Sequence, residues 1–204
     1  MRVVAIDGPV GSGKSTVAKA VAARLELPYL ESGAMYRVVA LAALRRRLNP
    51  EDQDGHARLA ADVDMEVGER VILEGDDVTA DLRSAEVGRG VSAVAAMGGV
   101  REELVRRQRE WVAAHGGAVV EGRDIGSVVF PDADVKVFLT ASAAERARRR
   151  ELDETADDLA RRDLLDSTRA VSPLIVPQGA VVVDTTSRPI DDVVDEIVSL
   201  LPSQ

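Results

Sequence analysis

The sequence predicts an α/β protein whose parallel strands carry a phosphate-binding loop, with a small antiparallel insertion, and three observations support that class. Near the start, Val3 to Thr16 reads Val-Val-Ala-Ile-Asp-Gly-Pro-Val-Gly-Ser-Gly-Lys-Ser-Thr, a β-branched run that breaks into a glycine-rich turn and continues into a helix-forming segment. Further on, apolar runs such as Ala118 to Glu121 and Val135 to Leu139 alternate with stretches of helical period, as strands buried on both faces of a sheet do. Between Val63 and Asp77, apolar and charged residues alternate singly, the two-residue period of a half-exposed ribbon.

A chain of 204 residues fits one such domain with room for a small insertion. With two Phe, two Tyr and one Trp, the core must be filled by Val, Leu, Ile and Ala. Zero cysteines exclude disulfides and thiolate chemistry, and Met1 runs into a strand without a basic and apolar leader, so a cytoplasmic location is expected. No apolar run approaches the ~20 residues of a membrane span. The net charge of −9 argues against nucleic acid or an anionic membrane as partner. Of the 26 cationic residues only Lys14, Lys19 and Lys136 are lysines. The remaining arginines suit bidentate contact with a small phosphorylated ligand, although a compositional bias would produce the same count.

The glycine-rich turn meets the pattern G-x-x-x-x-G-K-[ST] through Gly8, Gly13, Lys14 and Ser15, between the strand and helix that the pattern requires. Gly8, Gly11 and Gly13 allow the backbone positive φ, so that successive N–H groups surround a phosphate while the helix directs its positive end at the same anion. Lys14 adds a cation, and Ser15 offers a hydroxyl to the magnesium ion that bridges the outer phosphates. Gly8, Pro9, Val10, Gly11, Ser12, Gly13, Lys14, Ser15 and Thr16 are therefore the expected ATP-binding residues.

The elements that follow place further chemistry at strand ends. Leu27 to Glu31 reads as a second strand, with Ser32-Gly33 capping a helix that carries Tyr36 and Arg37 in its first turn and runs to about Arg47. In a parallel sheet the carboxyl ends of strands line the ligand crevice, so Arg37 can face a second phosphorylated ligand. Asn49-Pro50 opens a polar helix. The ribbon then turns at Gly68-Glu69 and again at Glu74-Gly75-Asp76-Asp77. Residues 84–115 read as two helices divided at Gly98-Gly99, with Trp111 packing rather than stacking on a base; His56 and His115 receive no chemistry. The strand ending at Glu121 delivers Gly122-Arg123-Asp124 to the crevice. Ala143 to Leu152 and Asp157 to Leu165 are arginine-loaded helices, readable as a solvated face or as a lid that brings Arg onto a transferring phosphate. A strand, Ala180 to Val183, and an amphipathic helix, Ile190 to Leu201, end the chain.

Taken together these motifs resemble the bacterial cytidylate kinases. The blocks are Ile6-Asp7-Gly8-Pro9 with Gly13-Lys14, Ser32-Gly33-Ala34-Met35-Tyr36-Arg37, Val91 to Ala96 with Val100-Arg101, Glu121-Gly122-Arg123-Asp124-Ile125-Gly126, Val129 to Ala133, and Asp166-Ser167-Thr168-Arg169 with Ser172-Pro173-Leu174. The resemblance implies a nucleoside monophosphate kinase fold with five parallel strands, comprising a core (about 1–30, 116–145 and 178–204), an acceptor-binding subdomain (about 31–115) and a short helical lid (about 146–170). It implies transfer of phosphate from ATP, with Mg2+, to CMP or dCMP by a monomer. Ser92, Arg101 and Asp124 would read the cytosine. Arg37, Arg123 and Arg169 would hold the acceptor phosphate, with Ser32 beside them. Arg162 and Asp166 would serve the ribose end and the transferring group, and Lys14, Arg123 and Arg162 would form the catalytic set. The resemblance leaves open which of Arg146, Arg148 and Arg150 meets the donor phosphates. Glu31 stands where the family usually has Asp, and the segment from Arg150 to Arg161 is shorter than in many members. Two other functions are weighed against this one. One is a non-catalytic switch that binds ATP or GTP and changes partner; a GTPase of that kind would carry an Asn-Lys-x-Asp motif, and no lysine here follows an Asn. The other, a kinase of another small molecule, would differ in its phosphate acceptor.

Overall fold

The computed structural model describes residues 1–149 and 156–201, and the side chains of residues 156–159 and of Arg162 lie outside that description. The chain forms two compact units, one of Met1–Leu30 with Val112–Gln204, the other of Glu31–Trp111.

The first unit is organised by a five-stranded sheet. Its strands are β1 (Arg2–Asp7), β2 (Tyr29–Glu31), β6 (Gly117–Gly122), β7 (Val135–Thr140) and β8 (Val181–Asp184), in the order β2-β6-β1-β7-β8. The second unit contributes β3 to β5, given below. β1 pairs in parallel with β6 and with β7, and β7 in parallel with β8. The central strands are buried, and one face of the sheet is covered by helices. Val4, Ile6, Val119, Val137 and Leu139 pack with Val17 and Val21 of α1 (Lys14–Leu25) and with Val193, Val194 and Ile197 of α8 (Ile190–Ser199). The edge strand β8 differs: Val181 and Val182 are exposed and Val183 is buried. Two short helices, α6 (Ala143–Arg148) and α7 (Ala156–Ser167), precede β8. The sequence-predicted helix from Ala143 to Leu152 is thus seen as far as Arg148, its last residues lying outside the described set.

The second unit contains α2 (Ser32–Arg45), α3 (Gln53–Asp62), an antiparallel sheet of β3 (Met65–Val67), β4 (Val71–Leu73) and β5 (Asp76–Asp77), then α4 (Ala85–Val94) and most of α5 (Gly98–Ala114). Two local expectations are corrected here. Ser32 does not cap α2 but is its first residue, the preceding Glu31 holding the extended conformation. Asp76-Asp77 is a third strand rather than a turn, because Ile72 and Leu73 of β4 still have a free edge to pair; Asp has poor strand propensity, and tertiary pairing overrides it. The expected division at Gly98-Gly99 holds, the two glycines being the first residues of α5. A Cβ on Gly99 would meet the Ala57 Cβ at 2.8 Å, so the glycine permits close approach to α3. His56 is buried in α3 with its Nδ1 2.8 Å from the Asp52 carbonyl, a packed position.

Candidate active site

The loop between β1 and α1 has the backbone that its glycines suggest. Gly8, Gly11 and Gly13 have φ of 150°, 76° and 87°. A Cβ on Gly8 would fall 2.2 Å from the Leu139 carbonyl oxygen, so this residue brings the loop against β7 where no side chain fits. Gly13 precedes α1 without a side-chain cap, which leaves first-turn N–H groups of the helix to an anion. Ser15 and Thr16 are exposed there, whereas Lys14 is buried and donates from Nζ to the Pro9 carbonyl at 2.8 Å. Burial, and next the Arg123 guanidinium, push the Lys14 ammonium down to about 7, against the pull of Glu121, Asp7 and Asp166.

Side chains distant in sequence fix the outer wall of the loop. Asp163 on α7 accepts the Val10 N–H at 3.1 Å and pairs through its other oxygen with Arg146, which in turn donates to the Val10 carbonyl at 3.1 Å. The two ends of this pair are only 18% and 20% exposed, so it is partly shielded from water. Arg149 donates to the Thr185 hydroxyl at 3.0 Å and to its carbonyl at 2.9 Å, and the same hydroxyl lies 3.0 Å from the carbonyls of Ser12 and Thr140. The three candidate arginines differ in what the structure describes. Arg146 reaches the loop, Arg148 is exposed and paired with Glu145, and Arg150 lies outside the described residues.

The segment after β6 supplies the other wall. Arg123 donates from Nε to one oxygen of Asp166 at 2.8 Å, and Arg169 from Nη2 to the other at 2.8 Å, so one carboxylate aims both arginines. Asp124 is buried where the chain enters a π-helical turn, Ile125–Val129, whose Val128 and Val129 N–H groups close back on the Asp124 carbonyl. Sequence periodicity gave no sign of that turn; single π turns are local widenings that occur often at functional sites. Glu121, also buried, accepts the Tyr29 hydroxyl at 2.9 Å. The structure thus gathers Lys14, Arg123, Asp124, Asp166 and Arg169 in one unit. It adds Asp7, Asp163 and Thr185, for which the sequence offered at most a carboxylate at the end of an apolar strand. The Arg162 side chain lies outside the described residues.

Within the second unit, Arg101 of α5 is buried, donates from Nη1 to the Ala95 carbonyl at 2.9 Å and stands 5.3 Å from the Tyr36 ring centre. Arg37 is half-buried and donates to the Leu82 carbonyl at 3.2 Å. Ser92 is half-buried on α4, which packs against α2, and Ser32 is buried at the start of α2.

Among the described residues no cluster of three His, Cys, Asp or Glu could hold a metal ion. The exposed Ser15 hydroxyl, a hard oxygen at the foot of the loop, fits a magnesium ion that takes its other oxygens from phosphate and water.

Comparison with known proteins adds a family. The description "Cytidylate kinase" matches residues 4–203. A cytidylate kinase from Desulforamulus reducens is 48% identical over 96% of this chain and 95% of its own length. One from Mycobacterium avium is 48% identical over 98% of this chain and 94% of its own. Among solved structures, a gluconokinase from Sinorhizobium meliloti 1021 superposes with a TM-score of 0.53 at 17% identity, covering 98% of this chain and 91% of that one, a likeness of fold alone.

Proposed function

The chain belongs to the cytidylate kinase family, and from that premise we propose that it transfers the terminal phosphate of ATP to CMP or dCMP, giving ADP and CDP or dCDP. The observation that carries the reading is that Asp166 accepts from Arg123 through one oxygen and from Arg169 through the other, at 2.8 Å each, in the unit that holds Lys14 buried at the start of α1. Cations held in place by the fold beside a phosphate-binding loop suit a phosphoryl group. Charge that builds on the transferring group meets donors already in place, the condition for electrostatic catalysis of phosphoryl transfer.

In this reading the loop from Gly8 to Thr16 holds the ATP phosphates through its backbone N–H groups, and Lys14 leaves the Pro9 carbonyl for phosphate oxygen. Magnesium, held at Ser15, supplies neutralisation of the outer phosphates when bound. Arg123, Arg169 and Arg37 are assigned to the acceptor phosphate, and Ser32 to the acceptor-binding set. Asp166 aims the first two of these arginines, and Arg162 completes the catalytic set from α7. Residues 146–170 serve as the lid, and residues 31–115 as the acceptor-binding subdomain. Ser92, Arg101 and Asp124 read the base: cytosine offers an exocyclic amino donor beside two acceptors, and a carboxylate with cationic and hydroxyl donors complements that set. We place the protein in the cytoplasm as a monomer, which sedimentation of the purified chain checks.

A coupled assay of ADP formation with CMP, dCMP, UMP, AMP and GMP tests the activity. CMP or dCMP is expected to lead, and a preference for AMP or GMP would overturn the assignment. Asp124→Ala and Ser92→Ala should narrow the gap between CMP and UMP, chiefly by impairing CMP, since a site built to bond a substrate group loses that advantage with the bond. Arg37→Ala should impair both alike, because a phosphate contact carries no base information. A large change in the CMP-to-UMP ratio with Arg37→Ala, and none with Asp124→Ala, would reverse those two roles.

A further inference from the structure

Asp7 is the last residue of β1 and fully buried, at 0% exposure. A carboxylate in that position needs donors, and it has two from a segment 118 residues away: the Ile125 N–H donates to Oδ1 at 2.8 Å and the Gly126 N–H to Oδ2 at 2.7 Å. The register explains the reach. Asp7 lies opposite Gly122 of β6, so the chain leaving β6 through Arg123 and Asp124 turns back over the end of β1. Asp7 is also joined directly to Gly8, the first residue of the phosphate-binding loop. One side chain therefore ties the start of that loop to the segment that presents Arg123 and Asp124.

We infer that Asp7 is a positioning residue for phosphoryl transfer, its two carboxylate oxygens setting where Arg123 and Asp124 stand relative to the phosphate-binding loop. The inference rests on the acceptor roles proposed for those two residues. It does not require Asp7 to touch either substrate. Two bonds to consecutive amides fix the orientation of the turn as well as its position, which a single bond would leave free to pivot. Neutralising the carboxyl breaks this arrangement, because an acid or an amide presents one donor where an acceptor is needed and leaves a buried N–H unpaired. Burial pushes the Asp7 carboxyl up to about 6; the Gly126 and Ile125 N–H groups and Lys14 oppose that rise, and Asp124 adds to it. Its protonation is therefore within reach of a mild pH titration.

The experiment has two parts. In the ligand-free wild-type protein, amide resonances of Ile125, Gly126, Arg123 and Asp124 are followed by NMR from pH 8 to pH 5. They should move together with a common midpoint near 6, and resonances of Arg123 and Asp124 that stay fixed would overturn the proposal. In steady-state kinetics at pH 7.5, where the CMP phosphate is almost fully ionised, Asp7→Asn should raise KM for CMP about tenfold or more and leave KM for ATP within about threefold, the signature of a displaced acceptor wall. A variant that merely misfolds in part would lose kcat in proportion to its inactive fraction and keep both KM values, and that result would also overturn it. The NMR arm uses no substrate, so failure of the kinase assignment and failure of the Asp7 assignment give different results.

Discussion

The same residue type behaves differently in the two units. In the unit that holds the phosphate-binding loop, the arginines nearest the loop are drawn into shielded pairs, although Arg24 and Arg148 pair at the surface: in the Arg169 to Asp166 bridge the side chains are 7% and 12% exposed. In the other unit they lie mostly on the surface, as in the Arg45 pairs with Asp76 and Asp81 and the Arg46 pair with Glu74. Water screens the surface pairs and long side chains lose rotamer freedom to form them, so each contributes little. The shielded pairs are weak arguments for stability as well, because desolvation offsets attraction. What they do is aim charge. Arg101 shows that the contrast follows environment rather than unit, since it is buried in the second unit against a carbonyl and an aromatic face.

The strongest attempt to break this contrast is Lys14→Met. Activity should fall by about two to three orders of magnitude, the usual loss when a preorganised cation is removed from a transition state, while the melting temperature at pH 7 holds or rises. The sign follows from linkage. The folded-state pKa of Lys14, about 7, is below its unfolded value of 10.5, so between those values the unfolded chain binds more protons and wild-type stability rises with pH. The variant should lack that rise. A variant with near-normal turnover, or one whose melting temperature collapses, would show that Lys14 is not a functional charge held at a cost to the fold.

Next in size is Asp166→Asn, which keeps the shape but removes the charge that orients Arg123 and Arg169. A drop of about 10- to 100-fold in kcat/KM for CMP is expected, much of it from arginines left without their counter-charge. An unchanged value would assign the aiming to other groups.

A smaller effect sharpens the electrostatics without mutation. Because Lys14 is partly neutral near pH 8 and gains a phosphate partner on binding, ATP binding at that pH should take up part of a proton. Calorimetry in buffers of different ionisation enthalpy measures the uptake, and its absence would mean that Lys14 stays fully charged without nucleotide. The smallest effect is expected from Arg45→Ala, which should leave kcat unchanged and move the melting temperature by less than about 2 °C.

The contrast also explains what could be read in advance. The phosphate-binding loop was legible because its strand, turn, cation and helix are contiguous, and Arg123 and Asp124 because a β-branched run pointed to the strand end that carries them. Ser32 was misread as a cap since Ser commonly has that role, while here Glu31 in β2 already sets the entry to α2. The contacts that Asp163, Arg146 and Thr185 make with the loop escaped notice for another reason. Their partners in the loop are 136 to 173 residues away, and no local period or propensity encodes a contact between an acidic side chain on one helix and the amide of a distant turn. Asp7 is intermediate, its type and place visible and its partners not.

Thr185 carries one last consequence, which concerns the order in which the protein is made. The ribosome delivers Ser12 of the glycine-rich turn 173 residues ahead of Thr185, which braces it just after the edge strand. A nascent chain stalled before β8 therefore contains every residue of the nucleotide loop but neither the Thr185 hydroxyl at the Ser12 carbonyl nor the anchor for Arg149. Tight nucleotide binding by the growing polypeptide is thus expected only after Thr185 has emerged, and nucleotide added to chains truncated before and after that residue measures whether it is.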